Sequence, residues 1–101
     1  MTNRVIEVVS FRLAPGVSDE EFLKTVPASS EFVAGMPGFV ARRLSRGEDG
    51  RWLEHIEWQT LEQAQAAAQM FMKEEGLKPM IQAIDGAGAR MSHNRLHVSL
   101  G

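Results

Sequence analysis

The sequence predicts an α+β domain: a four-stranded antiparallel sheet with two helices on one face, in the order β-α-β-β-α-β. Three observations predict it. Two S/T-x-x-E/Q boxes, Ser18-x-x-Glu21 and Thr60-x-x-Gln63, each open a segment whose apolar residues recur at helical spacing. The opening segment, Val5 to Leu13, is rich in β-branched and aromatic residues, and it and three further strand-like segments are set off by turns and loops marked by Gly and Pro. The stretch Trp52-Leu-Glu-His-Ile-Glu-Trp58 runs into the second box within two residues, so a strand hands directly to an alanine-rich helix with a close-packing face.

Val5 to Leu13 (VIEVVSFRL) is nearly continuously apolar and reads as a strand covered on both faces. Pro15-Gly16 ends it. Ser18 then caps a helix whose acidic first turn suits the helix dipole, with Phe22, Leu23, Val26 and Val33 on one broad face. Pro27 lies inside that helix, and an interior proline costs about 3 kcal/mol, so a kink or break is expected near Val26. Gly35 ends the helix, and Met36-Pro37-Gly38 makes the turn. Phe39 to Arg46 is the second strand, Gly47 to Gly50 a hairpin loop and Arg51 to Trp58 the returning strand.

The helix after Thr60 places Leu61, Ala64, Ala68, Phe71 and Met72 at helical spacing, with Gly76 as its C′ residue. Pro79 suits the first turn of a short further helix with Met80, Ile81 and Ile84 on its apolar side. Asp85 to Gly88 is a loop. Arg90 to Leu100 is a last strand: Ser92, Asn94, Leu96, Val98 and Leu100 share one face, and Met91, His93, Arg95, His97 and Ser99 the other. This order is the ferredoxin-like split βαβ unit, a single domain over residues 1–101.

Composition narrows the function classes. With 101 residues, 44% hydrophobic and 24% charged, the chain is of ordinary globular make-up. A net charge of −2 argues against nucleic acid as a partner, because phosphate binding needs a basic face. The absence of cysteine excludes disulfides, thiolate nucleophiles and Cys-ligated zinc. No apolar run approaches the roughly 18–20 residues that span a bilayer, so no membrane partner is expected. No signal peptide is expected either, since Met1-Thr-Asn-Arg4 leads into only a short apolar segment containing Glu7; a cytoplasmic location follows.

The first strand offers little polarity on either side, with Ile6 and Val8 on one and Val9 and Phe11 on the other. An open apolar sheet face of several hundred Å² is rare on soluble monomers. Two copies whose sheets pack about 10 Å apart across a two-fold axis would cover it, so a homodimer closing a barrel is expected.

Three stretches resemble the dimeric α+β barrel superfamily and, within it, the antibiotic biosynthesis monooxygenase-like family. Phe11-Arg-Leu-Ala-Pro-Gly-Val-Ser-Asp-Glu-Glu-Phe22 is similar to that family's strand-to-helix entry, and equally to that of the stress-responsive A/B barrel family. Met36-Pro-Gly-Phe39 resembles the turn before its second strand, and Glu57-Trp-Gln-Thr-Leu-Glu-Gln-Ala64 its strand-Trp-helix junction. The resemblance implies a dimeric α+β barrel and membership of a group that includes cofactor-free oxygenases of aromatic polyketides or quinols and haem-degrading monooxygenases. The Asn, Trp and His used by haem-degrading members fall, without gaps, at Val9, Ala66 and Gly76, and none matches. The helix histidine frequent elsewhere in the family is replaced by Ala66-Ala67-Ala68.

Candidate chemistry rests on few residues. His55 and Glu57 alternate onto one strand face with Leu53, and Glu7 lies on a strand expected beside theirs. A Glu7–His55 pair is either a general base for a phenol or quinol or a buried pair that holds the sheet. Val9, Phe11, Glu57, Met70, Phe71 and His93 are candidates to line a pocket between helices and sheet. Met72 and Met80 add flexible thioethers suited to flat ligands, unless they simply pack. His93-x-x-x-His97 has a helical chelate spacing, but on a strand the rings stand about 13 Å apart and share no ion. Trp52 and Trp58 read as core or interface anchors, and Arg42, Arg43, Arg46 and Arg51 as a solvated protecting edge. Gly86-Ala-Gly88 lies between a helix and a strand, the reverse of a dinucleotide loop. The expected function is binding of a small apolar or aromatic, quinol-like molecule, with cofactor-independent oxygenation as the enzymatic form, and neither cofactor nor metal. The alternative is a non-catalytic ligand-binding or stress-associated homodimer, and haem degradation is a third.

Overall fold

Local sequence chemistry sets the helix boundaries. In the computed structural model, which describes residues 3–101, the Ser18 Oγ accepts from the Glu21 backbone N–H at 3.1 Å while the Glu21 carboxylate accepts from the Ser18 N–H at 3.2 Å. This reciprocal box starts α1, Asp19–Leu23. The expected break at Pro27 occurs: α1 stops, and a second helix, α2, runs Val26–Ala34 with the proline in its first turn, where a missing N–H costs nothing. The break turns Leu23 outward, so of the expected apolar face only Phe22, Val26 and Val33 pack inward.

Thr60 caps α3, Leu61–Phe71, by accepting from the Gln63 N–H at 3.1 Å. The reciprocal half of this box does not form. Gln63 packs instead over Gly38, which holds φ +88 and leaves the space that a Cβ would take. The buried face of α3 is Ala64 and Ala67, flanked by Ala68 and Phe71, whereas Leu61 and Met72 are exposed. Gly76 is not the helix end. The helix closes at Met72, and Gly76 sits in a 3-10 turn, Glu75–Leu77, that leads to α4, Lys78–Ala83.

The strands are β1 Val5–Phe11, β2 Phe39–Arg46, β3 Trp52–Trp58 and β4 Arg90–Arg95. They form one antiparallel sheet in the order β2-β3-β1-β4, the ferredoxin-like arrangement. The first strand ends at Phe11, with Leu13 making one further bridge to Ile84. The last strand is half as long as the alternation suggested. Pairing stops where β1 begins, and residues 96–101 leave the sheet with Val98 82% and Leu100 97% exposed.

The core has two centres on the helix-covered sheet face. Phe22 stands edge-on to Phe11 and Trp52, at centroid distances of 5.6 and 4.9 Å, and is sealed by Met80 and Ala83. Val33, Ile56, Trp58, Ala64 and Ala67 form the second. The two tryptophans are therefore core anchors.

Candidate active site

Register decides which side chains reach the helices. Val5, Glu7, Val9 and Phe11 stand opposite Trp58, Ile56, Glu54 and Trp52 of β3, and the first three opposite Arg95, His93 and Met91 of β4. This row faces the helices, because it contains the core tryptophans. Ile6, Val8 and Ser10 face the other way, with Glu57, His55 and Leu53. A bulge between Phe39 and Ala41 breaks the alternation of β2. Phe39 pairs with Trp58 and Arg42 with Ile56, so the extra residue turns both toward the helices.

A cavity of about 460 Å³ lies between this face and the helices, a size that suits small-molecule sites. It exists because α3 presents Ala67 and Ala68, whose single carbons cannot reach the sheet. Val9, Phe11, Ile56 and Trp58 form the floor; Phe71, Met72, Met80, Ile81 and Ile84 close the helix side. Three charged side chains enter this apolar wall: Glu7, Arg42 and Glu54.

Arg42 and Glu54 satisfy each other. The guanidinium grips the carboxylate through Nε–Oε1 and through Nη2–Oε2 at 3.0 Å. Its Nη1 donates to Ser29 Oγ at 2.8 Å and Ser30 Oγ at 3.0 Å. Both side chains are about nine-tenths buried (9% and 10% exposed), which makes this fork a structural part of the cavity end.

Glu7 is different. It is 6% exposed, and among the described residues its side-chain partner is His93, whose Nε2 lies 3.1 Å from Oε1. Burial pushes the Glu7 carboxyl above its ordinary range. The His93 contact opposes that shift and the Glu54 charge adds to it, without reversing the direction. A carboxyl so placed holds or releases a proton nearer neutrality than a solvated glutamate does, as a general base requires.

The expected site residues thus separate. Glu7, Val9, Phe11 and Phe71 line the cavity, and His93 adjoins Glu7 from the neighbouring strand. His55 does not meet Glu7: it stands opposite Val8 on the outer sheet face and is exposed. Glu57 shares that outer face and pairs with Arg4 at 2.8 Å. Met70 points to solvent, while Met72 and Met80 line the cavity. Arg42 leaves the arginine edge for the cavity. Of the others, Arg46 pairs with Asp19 at 2.9 Å, and Arg51 donates to the Gly88 carbonyl at 2.8 Å. Glu54 was missed, although its alternation with Trp52, Ile56 and Trp58 was the signal that it faces inward. Among the described residues, no three His, Asp or Glu side chains converge as a metal site requires. No helix among them is long and apolar enough to cross a membrane.

No family model matches the sequence, and no curated protein matches it. Solved structures share its fold. A proposed antibiotic biosynthesis monooxygenase from Bordetella bronchiseptica superposes with a TM-score of 0.80 at 16% identity, over 96% of this chain and 100% of that one. SnoaB, a cofactor-independent oxygenase from Streptomyces nogalater, in a mutant form, gives 0.75 at 18% identity over 98% of both chains. A heme-degrading protein from Mycobacterium tuberculosis gives 0.71 at 19% identity, over 100% and 99%. The chain has the fold of antibiotic biosynthesis monooxygenase-like proteins, and at such identities the likeness is one of fold.

Proposed function

We propose that the helix–sheet cavity binds a small, flat phenol or quinol and that the chain oxygenates it with dioxygen and no cofactor, Glu7 acting as base. The observation that carries this reading is a buried carboxyl, its pKa raised by burial, set into a largely apolar cavity of about 460 Å³. The Glu7 carboxylate takes the hydroxyl proton, leaving an electron-rich phenolate. The phenolate passes one electron to dioxygen, and the resulting radical pair combines at a ring carbon to form a peroxide anion, which takes back one proton to become a hydroperoxide. Loss of water then leaves one oxygen atom on the ring. In sum, a quinol and dioxygen give a hydroxylated quinone and water. The apolar wall serves this chemistry by keeping bulk water from the intermediates.

Non-catalytic binding is the competing reading, favoured by the mutual neutralisation of Arg42 and Glu54, which leaves Glu7 as the remaining charged group of the cavity wall. Haem degradation draws no support: Val9 is wall, Ala66 is exposed on α3, and Gly76 lies beyond it. Oxygen uptake with a panel of quinols separates the first two readings. Turnover that disappears in Glu7→Gln supports the enzyme; tight binding without uptake leaves a binding protein.

A further inference from the structure

The Glu7–His93 contact joins two spaces. Glu7 lines the apolar cavity, whereas His93 lines a separate, polar depression of about 490 Å³ bounded by Asn3, Thr60, Leu61, Glu62 and Arg95. The two residues stand directly opposite each other in the β1–β4 ladder, with Nε2 3.1 Å from Oε1. Their side chains are 8% and 20% exposed, so the pair forms a partition whose inner member is buried and whose outer member is the more exposed.

From this we infer that His93 is the proton exit of the site: a proton accepted by Glu7 inside the cavity leaves through the imidazole into the polar depression. The inference rests on Glu7 being the base proposed above. A buried base exchanges its proton with solvent through a group at the edge of its cavity, and the other two charged groups of the wall, Arg42 and Glu54, are engaged with each other. An imidazole can take a proton at one nitrogen and release one from the other. Here Nε2 faces Glu7, and Nδ1 has no partner among the described residues.

Proton balance is simple. The ligand hydroxyl protonates Glu7; Glu7 passes that proton to His93 and is a carboxylate again; His93 releases a proton to solvent and is neutral again; the same route run inward returns the one proton that the peroxide takes up, so no net proton is released per turnover. The charged groups around the ring are Glu7 on β1, Arg95 on its own strand and Glu62 at the start of α3; Glu54 on β3 acts on Glu7. His93 is thus a positioning and relay residue rather than a group that touches the ligand.

A probe that reports its own ionisation tests this without turnover. Protein loaded with 4-nitrophenol is subjected to a stopped-flow pH jump, and the absorbance of the bound phenolate is followed before the probe is released. His93→Gln, whose melting curve verifies folding, should slow the relaxation about a hundredfold. His93→Ala should be equally slow and should recover in proportion to added imidazole, which a merely structural histidine would not produce. Wild-type rates in both variants, or slowing that imidazole does not relieve, overturn the relay and leave the proposed ligand class standing. Absence of any spectral change when wild-type protein meets the probe overturns the cavity reading first, and the relay with it.

Discussion

Replacing Arg42 by methionine asks whether the ion pair at the cavity end is a buried one. The side chains of Arg42 and Glu54 are 9% and 10% exposed, and the guanidinium spends four N–H groups on one carboxylate and two serine hydroxyls. Without it, the Glu54 carboxylate is stranded on the apolar face it shares with Glu7. Breaking such a pair from one side costs about 3–5 kcal/mol. A domain of this size has about 5–15 kcal/mol in all. At about 4–8 °C per kcal/mol, the melting temperature should fall by about 12 °C or more.

The same reasoning predicts that Arg42→Met combined with Glu54→Leu recovers most of the loss, because an apolar pair of similar volume has no charge to desolvate. Urea unfolding followed by tryptophan fluorescence, with the slope verified as unchanged, gives all four corners of the cycle. A loss below about 1 kcal/mol for Arg42→Met would place the pair among solvated surface bridges and refute the burial argument. So would a double variant as weak as either single one.

Two further expectations concern the base and the outer face. Glu7 has a folded pKa above its unfolded value of 4.5, so the folded state holds the proton more tightly. That contribution is fully present below pH 4.5 and is lost as pH rises through the raised folded value. Because Gln cannot titrate, the melting temperature of Glu7→Gln minus that of wild type should climb from acid to neutral pH; a flat difference removes Glu7 as the perturbed group. We also propose that the 11.2 kDa chain forms a homodimer through the outer sheet face. Support comes from Val8 and the exposed Leu53 on that face, and from the exposed Val98 and Leu100 of the tail. Ile6 is already shielded, and His55, Glu57 and Asn94 make much of the face polar, so the interface needs the tail as well as the strand. Sedimentation should give about 22 kDa at micromolar concentration, and deleting residues 96–101 should weaken the association; a stable single-chain particle ends the proposal.

What the sequence made legible follows from the range of each interaction. Ser18, Thr60 and Pro27 act on residues three or four positions away, and the helix starts and the helix break were readable from them. The partner of Glu7 was not, because it depends on the face of a strand 86 residues away. A one-residue change of register moves a side chain to the other face. On β3, Trp52, Ile56 and Trp58 mark the inward set, and that parity sends His55 outward. On β2, strict alternation would separate Phe39 from Arg42; the bulge at Val40 reunites them, and no local pattern announces it.

On the last strand the pattern points the wrong way. Leu96, Val98 and Leu100 make the even-numbered residues look like the core set, yet all three lie beyond the paired segment Arg90–Arg95. Within that segment the one apolar side chain is Met91, and the cavity takes Met91 into its lining. His93 shares its parity. The apolar tail pattern therefore belongs to chain that has left its own sheet, and once it is set aside, Met91 alone is enough to turn His93 toward Glu7.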